Sequence, residues 1–531
     1  MNAPATASAN TASNHPGVET FDAEAVNSKA RRELYEARTK IHPKRASGQF
    51  RKLKWWIMAV TLGIYYLTPW IRWDRGPGAP DQAVLVDLAH RRFYFFFIEI
   101  WPHEFFFVAG MLVMAGIGLF LVTSTLGRAW CGYTCPQTVW VDLFLVVERF
   151  FEGDRNARIK LDAAPWTFDK IRKRVAKHIV WLLIGVATGG AWIFYFADAP
   201  TLLRDLVTGQ AASVAYVTVA ILTATTYIFG GHMREQVCTY MCPWPRIQAA
   251  MLDEYSLTVT YNDWRGEPRS RHAKALKKAN AEVGDCVDCN ACVAVCPMGI
   301  DIRDGQQLEC ITCALCIDAC DAVMDKLGRE RGLISYATLD DYNANMALAR
   351  GGNAGSAIHP GNVRDADGGF VAAIRHTGWH SIVRPRTILY AAIYAAIGLV
   401  LLGLLATRSR LDVNVLHDRN PLFVVLSDGE IRNGYQVKIL NMEARDKAFS
   451  ITVSGLEGAR LQGEDAAAGS GETLAVDVPA DQLLAVRLFV RVAPGALSDT
   501  QTTFRFHVRP VGEDDAVTVE ARFEAPREAL K

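Results

Sequence analysis

Cysteine is missing from the last 211 residues of this 531-residue chain; all twelve fall between Cys131 and Cys320. The tail therefore has no disulfide framework and no thiolate metal site. An excess of either charge is lacking as well. Lys plus Arg number 57 and Asp plus Glu 56, a formal net charge of +1, which makes no case for a nucleic-acid partner. No G-x-G-x-x-G follows a strand-like segment and no Walker A motif occurs, so no nucleotide site is expected. The start lacks an apolar h-region. Residues 1 to about 49 are polar, rich in Ala, Asn and Ser and later in Lys and Arg. That texture reads as a disordered cytoplasmic arm turning basic over 1–54, and not as a signal peptide.

What is present is concentrated in two cysteine runs that begin 24 residues apart. One reads Cys286-Val-Asp-Cys289-Asn-Ala-Cys292-Val-Ala-Val-Cys296-Pro297. The other reads Cys310-Ile-Thr-Cys313-Ala-Leu-Cys316-Ile-Asp-Ala-Cys320. Both follow C-x2-C-x2-C-x3-C, the spacing of bacterial ferredoxins that carry two [4Fe–4S] clusters. A cubane has four iron corners, each needing a thiolate, and in such ferredoxins the distal cysteine crosses to the other cluster. One cluster is therefore expected on Cys286, Cys289, Cys292 and Cys320, and the other on Cys310, Cys313, Cys316 and Cys296. Zinc sites favour C-x2-C pairs a dozen or more residues apart. Disulfides at this spacing have little room for unstrained bridges. The pattern names single-electron transfer. Asp321 stands where the second run would normally carry proline; ligation does not need it, so only the local turn is affected. Thiolate clusters belong in a reducing compartment, which assigns this segment to the cytoplasm.

Five stretches are long and apolar enough to span a bilayer: about 55–71, 105–126, 179–197, 213–230 and 387–407. Residues 29–54 and the 127–178 loop hold ten Lys/Arg each, the loop after the third span holds only Arg204, and the loop after the first holds four. This bias puts the N-terminus inside. Five spans then put the C-terminus outside and the ferredoxin segment, between spans four and five, inside. The expected organisation is a basic arm (1–54), four transmembrane helices (55–230), a cytoplasmic two-cluster ferredoxin-like domain with linker (231–386), a fifth helix (387–407) and a periplasmic domain (408–531). The last alternates apolar and polar residues at 435–440, 449–453, 474–478, 486–492, 503–508 and 517–523. Roughly seven strands over about 120 residues suggest an all-β immunoglobulin-like sandwich with a docking or structural role. The Gly-rich stretch 351–356 reads as a flexible loop.

A repeat lies in the membrane half. The second span leads into Cys131-Gly-Tyr133-Thr-Cys135-Pro136 and the fourth into Cys238-Thr-Tyr240-Met-Cys242-Pro243. Each is C-x3-C-P with a shared tyrosine, at the cytoplasmic end of a span. Residues i and i+4 share a helix face, so two such pairs can converge into one four-thiolate site. Soft thiolates suit Cu(I), zinc or another iron–sulfur cluster; copper is the preferred reading, with a cluster or redox-active thiols as alternatives. Histidines carry less weight. His103, with Glu104 and Glu99, sits at the outer end of the second span, where interfacial snorkelling accounts for it. His178 and His232 lie at inner helix ends. His376 and His380 flank Trp379 before the fifth span, with nothing to fix a metal partner.

In this order, the basic arm, the paired C-x3-C-P motifs, the ferredoxin runs, Arg331-Gly-Leu-Ile-Ser-Tyr336, a last span and an Ig-like tail resemble the cytochrome c oxidase accessory protein family (CcoG, FixG, RdxA). The resemblance covers nearly the whole chain. A related branch, the quinol-oxidising membrane ferredoxins of nitrate reductase systems, generally lacks the Ig-like tail. The resemblance implies a multi-pass protein of the bacterial inner membrane that works in cbb3-type oxidase assembly by reducing Cu(II) to Cu(I) on the cytoplasmic side. It implies two [4Fe–4S] clusters as the relay, with Cys131, Cys135, Cys238 and Cys242 receiving copper or passing electrons to it. Implied partners are copper ions or a copper chaperone, oxidase assembly factors and an electron donor that the sequence does not identify. Two other roles stay open: an electron-transfer subunit between the quinol pool and a reductase, and a non-catalytic, redox-sensing assembly factor.

Overall fold

The computed structural model describes residues 18–27, 39–76, 79–272, 282–353, 355–367, 369–443, 445–464, 470–493, 495–497, 499–513 and 516–527, with the side chains of His380 and Ser470 excepted. Most of the basic arm lies outside these residues. The chain divides into two compact units, one of residues 1–71, 84–94 and 99–401, the other of 72–83, 95–98 and 402–531.

Helices of the first unit are α1 (Gln49–Leu67), α2 (Phe106–Leu126), α3 (Pro136–Glu152), α4 (Arg155–Ala163), α5 (Phe168–Thr188), α6 (Ala199–Thr208), α7 (Ser213–Thr226) and α8 (Trp244–Met251). They continue with α9 (Asp263–Gly266), α10 (Ala291–Val295), α11 (Leu315–Lys326), α12 (Leu339–Ala349) and α13 (Pro385–Ala406). Among the described residues four helical stretches are long and apolar enough to cross a membrane: Pro102–Leu126, Phe168–Tyr195, Ser213–Met233 and Pro385–Ala406. The first expected span differs. Arg51, Lys52 and Lys54 occupy the opening turns of α1. Its apolar remainder, 55–67, is about 20 Å of helix against a hydrocarbon core of about 30 Å. Even so, α1 runs beside the others. Tyr65 Oη donates to the Thr188 carbonyl at the end of α5 (2.5 Å), and Tyr195 Oη donates to the Tyr65 carbonyl (2.8 Å).

Small residues let these helices approach, the usual device where lipid removes the hydrophobic drive. A Cβ on Gly189, just after α5, would come within 2.4 Å of the Leu222 carbonyl of α7, and Gly110 of α2 lies against Leu401 of α13. At the other end of the bundle the sequence turns ionic. Asp142 of α3 takes Arg51 (2.9 Å) and Lys54 (3.2 Å) from α1. Glu148 takes Arg158 (2.8 Å), Arg234 (2.6 Å) and Lys177 (3.6 Å), and the Glu148 and Arg158 side chains are 1% exposed.

The ferredoxin segment packs onto this ionic end. Strands β4 (Thr258–Tyr261) and β5 (Ile334–Ala337) pair antiparallel on either side of the cysteine runs; β1–β3 (Val84–Asp87, Arg92–Phe95 and Ile98–Ile100) lie earlier, between α1 and α2. Asp318 of α11 accepts the backbone N–H groups of Phe50 (3.1 Å) and Arg51 (2.7 Å). It thereby satisfies orphan donors at the start of α1 from another part of the chain. Asp321 does not open a turn. It lies inside α11, which runs on to Lys326, and its carboxylate accepts the Gly332 N–H at 3.0 Å. A proline there would interrupt the helix.

The second unit is a two-sheet sandwich built from β6 (Leu411–His417), β7 (Val424–Val425), β8 (Ile431–Asn441), β9 (Lys447–Ser454), β10 (Arg460–Gly463), β11 (Ser470–Gly471), β12 (Thr473–Val478), β13 (Leu483–Val492), β14 (Gln501–Pro510) and β15 (Val517–Glu524). One sheet has the order β11-β10-β13-β8-β6 with β7 on β8; the other is β12-β9-β14-β15. All six alternating segments read from the sequence fall on strands. The additional ones are short or, like β6, follow directly on a helix. Inward positions such as Phe504, Phe506 and Val508 of β14 join Tyr435, Phe449 and Phe523 in the core, the period-two burial expected of a strand. The one buried phenol, Tyr435, donates to the Arg522 carbonyl at 2.6 Å.

Candidate metal centre

The cysteines gather in three groups of four. Cys320 stands beside Cys292, Cys286 and Cys289. Cys296 stands beside Cys313 and Cys310, and Cys316 beside all three of these and then Cys292. Cys131 neighbours Cys135, Cys238 and Cys242. The first two quartets therefore adjoin through Cys316 and Cys292. Among the described residues no three His, Cys, Asp or Glu side chains converge as one metal ion would require. Four thiolates from two runs are the donor set a cubane takes, one for each iron.

Backbone geometry explains how the ferredoxin runs wrap. Asp288 (φ 51°) and Asn290 (φ 58°) sit between cysteines of the first run, and Thr312 (φ 52°) and Ala314 (φ 59°) occupy the same places in the second. These left-handed conformations are costly for residues other than glycine and Asn/Asp, and persist where the surroundings impose them. They turn successive N–H groups inward. Backbone N–H donors reach the sulfur two residues back at Cys289 (from Ala291), Cys296 (from Met298) and Cys310 (from Thr312). Burial pushes the Cys310 thiol up to about 11 and Cys296 up to about 12. A bound cation centre is what holds such buried sulfurs as thiolates.

Both C-x3-C-P motifs fold alike. Each forms a π-type turn, Trp130–Thr134 and Val237–Met241, closed by Cys135 N–H to the Trp130 carbonyl (2.9 Å) and Cys242 N–H to the Val237 carbonyl (2.8 Å). Helices α3 and α8 start just beyond. Gln137 Nε2 ties the repeats together by donating to the carbonyls of Phe229 (2.8 Å) and Arg234 (3.1 Å). Cys131 Sγ donates to Gln248 Oε1 at 3.0 Å. Burial, followed by the neighbouring thiols, pushes Cys131 and Cys238 up to about 12. The shared tyrosines diverge. Tyr133 is buried, with its hydroxyl 3.2 Å from that of Tyr336, which donates to the Thr312 carbonyl (2.8 Å); Tyr240 is exposed.

Two residues that are not cysteines, Arg128 and Gly132, join the second and third quartets. Arg128 lies between Cys310 and Cys131. Its guanidinium donates to the carbonyls of Leu308, Cys310 (3.1 Å) and Pro245 (2.8 Å). Gly132 is pressed on the second run: a Cβ there would stand 2.7 Å from the Ile311 carbonyl oxygen and 3.1 Å from Cys313 Cα. On the far side, Arg303 lies near Cys292 and Cys286 and is held by Asp301 (2.6 Å) and Asp288 (2.7 Å). Arg128 precedes the first C-x3-C motif by three residues, the only cue to it in the sequence.

The histidines fall elsewhere. His178 and His232 stack at 5.7 Å, and Tyr227 Oη is 2.9 Å from His178 Nδ1. They line a cavity of about 260 Å³ with Lys40, Glu148, Arg174, Lys177 and Arg234, apart from the cysteines. Glu104 is buried, its carboxylate accepting the Trp101 N–H at 3.2 Å, and Glu99 pairs with Arg92 at 3.1 Å. His103 and His376 are exposed, and the His380 side chain lies outside the described residues.

Three family models match this chain: a 4Fe-4S binding domain at 107–152, a 4Fe-4S dicluster domain at 233–339, and the IG-like fold at the C-terminus of FixG at 401–526. The chain is 65% identical over 507 residues to the nitrogen fixation protein FixG of Rhizobium meliloti, covering 95% of this chain and 97% of that one. It is 56% identical to protein RdxB (87% and 91% covered) and 53% identical to protein RdxA (88% and 93% covered), both of Cereibacter sphaeroides. A crystal structure of a FixG-related protein from Vibrio parahaemolyticus matches 22% of this chain and 97% of its own at 22% identity, with a TM-score of 0.19.

Proposed function

The chain belongs to the FixG/RdxA/RdxB family of iron–sulfur electron-transfer proteins, and from that premise we propose that it reduces Cu(II) to Cu(I) on the cytoplasmic side of the inner membrane during cbb3-type oxidase assembly. One observation carries the reading: the second ferredoxin quartet and the C-x3-C-P quartet share Arg128 and touch at Gly132 and Cys313. An electron therefore has a short path from Cys286–Cys320 thiolates through the Cys310 quartet to the sulfurs at the membrane surface. Cysteines 286, 289, 292 and 320, with 310, 313, 316 and 296, hold the two clusters, which supply the one-electron chemistry. Cys131, Cys135, Cys238 and Cys242 pass the electron toward copper. Each Cu(II) takes one electron, so two reduced clusters support two turnovers before a donor must refill them. Thiolate surroundings favour the Cu(I) product.

Sidedness follows the positive-inside rule. The helix ends at the ferredoxin body carry Arg51 and Lys54, Arg128, Lys170 to Lys177, Arg234, and Arg384 with Arg386. That body is thus assigned to the cytoplasm and the sandwich to the periplasm. Chemically reduced holoprotein should convert Cu(II) to chelator-trapped Cu(I). The variants Cys289→Ser and Cys313→Ser should each lose at least tenfold in rate. An unchanged rate in both would overturn the proposal.

A further inference from the structure

We propose that the cavity lined by Lys40, Arg174, Lys177, His178, His232 and Arg234 binds a phosphoryl oxyanion, carried there by an anionic phospholipid. Such a site stands whether or not copper is the electron acceptor. Its walls come from four parts of the chain: the segment before α1, α3, α5 and the turn after α7. The charges around the enclosed 260 Å³ or so do not balance. Lys40 pairs with Asp162 at 2.8 Å, and Arg174 pairs with Asp162 and, at 3.0 Å, with Glu152. Lys177 pairs with Glu152 at 2.9 Å, and Glu148 is shared by Lys177, Arg158 and Arg234. Among the described residues these linked pairs set five cations against three carboxylates. His42 also meets Asp162, at 3.2 Å, but burial, followed by Lys40, pushes it down to about 3, so it adds no charge. Buried charge left without a partner is costly, and an oxyanion in the cavity supplies the missing negative charge. Burial lowers Lys40 from its ordinary value, and Arg174 and Arg234 add to this against the pull of Glu148; an anion beside it would relieve all three.

The cations are held in place before a ligand arrives. Lys177 Nζ and Arg234 Cζ lie 4.7 and 5.5 Å from the centre of the Trp181 ring, whose Nε1 donates to the Phe144 carbonyl at 3.2 Å. Arginine and lysine are the side chains that take phosphate, one as a fork and the other as a point charge. The lipid source follows from the two faces of α5. Arg174, Lys177, His178 and Trp181 line the cavity, while Ile171, Val175, Ile179 and Leu182 are exposed. Those four form an apolar stripe at helical spacing on a stretch long enough to cross a bilayer. Trp166 and Phe168 stand exposed at its start, the place of interfacial aromatics. Acyl chains packed along this stripe would bring their headgroups to the cationic cavity, as basic pockets between spanning helices do.

Full-length protein, stripped of lipid in dodecyl maltoside and free of phosphate buffer, tests the assignment. Native mass spectrometry follows titration with phosphatidylglycerol or phosphatidylcholine, and calorimetry follows titration with inorganic phosphate. Phosphatidylglycerol should bind at least about tenfold more tightly than phosphatidylcholine, whose choline cation the cavity repels. Lys40→Gln should weaken phosphatidylglycerol about tenfold, the loss of one charge-assisted hydrogen bond, with iron content unchanged. Arg172→Gln removes an exposed charge from the same helix, one paired with Asp169, and should leave the affinity as in wild type. Should Lys40→Gln misfold, the wild-type selectivity between the two lipids decides. Saturable phosphate binding that Lys40→Gln weakens, without lipid selectivity, would keep the oxyanion site and replace its lipid carrier by free phosphate. Neither lipid selectivity nor phosphate binding, or an equal loss in Lys40→Gln and Arg172→Gln, would overturn the proposal.

Discussion

At the scale of single residues, two side chains decide how the thiol groups communicate. Arg128 places a positive charge between Cys310 and Cys131. A nearby cation favours the more reduced, more negative state of any centre beside it. Arg128→Gln should therefore lower the midpoint potential of the centre on Cys310 by tens of millivolts at least, with iron content unchanged, as read by potentiometric EPR titration. Gly132 acts by contact alone. Gly132→Val would drive a side chain into the Ile311 carbonyl and the Cys313 backbone. Overpacking of that kind costs about 1–3 kcal/mol, so cluster loss on mild heating should come earlier than in wild type. Arg128 stands outside the C-x3-C-P motif, and Gly132 occupies one of its variable positions. The cysteine grouping was legible because ferredoxin spacing implies the crossover; Arg128 and Gly132 were not, since both act on a segment about 180 residues away in sequence.

At the scale of elements, helix faces at the ionic end hold the bundle to the ferredoxin body. Burial by itself would raise Glu148, but Arg234, followed by Arg158 and Lys177, outweighs it and holds the carboxyl down to about 2. A depressed carboxyl stabilises the fold fully above its unfolded value near 4.5, and that contribution fades as pH falls toward 2. Glu148→Gln removes the carboxylate from buried Arg158 and Arg234, while Lys177 keeps Glu152 at 2.9 Å, at a cost of about 3–5 kcal/mol. The difference in stability between wild type and this variant, from denaturant unfolding in detergent, should be flat above pH 5 and shrink between pH 4.5 and 2. A difference constant down to pH 2 would show that Glu148 is not titrating as described. The sequence marked these basic residues as a topology signal only. Their pairing with α3 became visible once α1, α3, α5 and the turn at Arg234 were brought together.

At the scale of the whole molecule, the cysteine-bearing unit and the cysteine-free sandwich have separate cores. With the proposed sidedness, protease added to spheroplasts should remove the sandwich from about residue 408 onward and leave the ferredoxin segment intact. Protease added to inverted vesicles should do the reverse. The trimmed spheroplast product should keep its full iron content. Digestion of the ferredoxin segment from the outside would refute the assignment.

The sequence by itself determined the iron–sulfur chemistry, the apolar helices and the strands of the sandwich, because each rests on short-range regularities: ligand spacing, runs of apolar side chains and period-two alternation. It also contained the C-x3-C-P repeat, though not what that repeat faces. That Cys131, Cys135, Cys238 and Cys242 can converge was readable from the repeat; tertiary structure alone decided that they lie against the second ferredoxin run. It alone decided that Asp318 caps α1. Those contacts join segments far apart in the chain, and their selection depends on packing and on burial of charge, which no local pattern encodes.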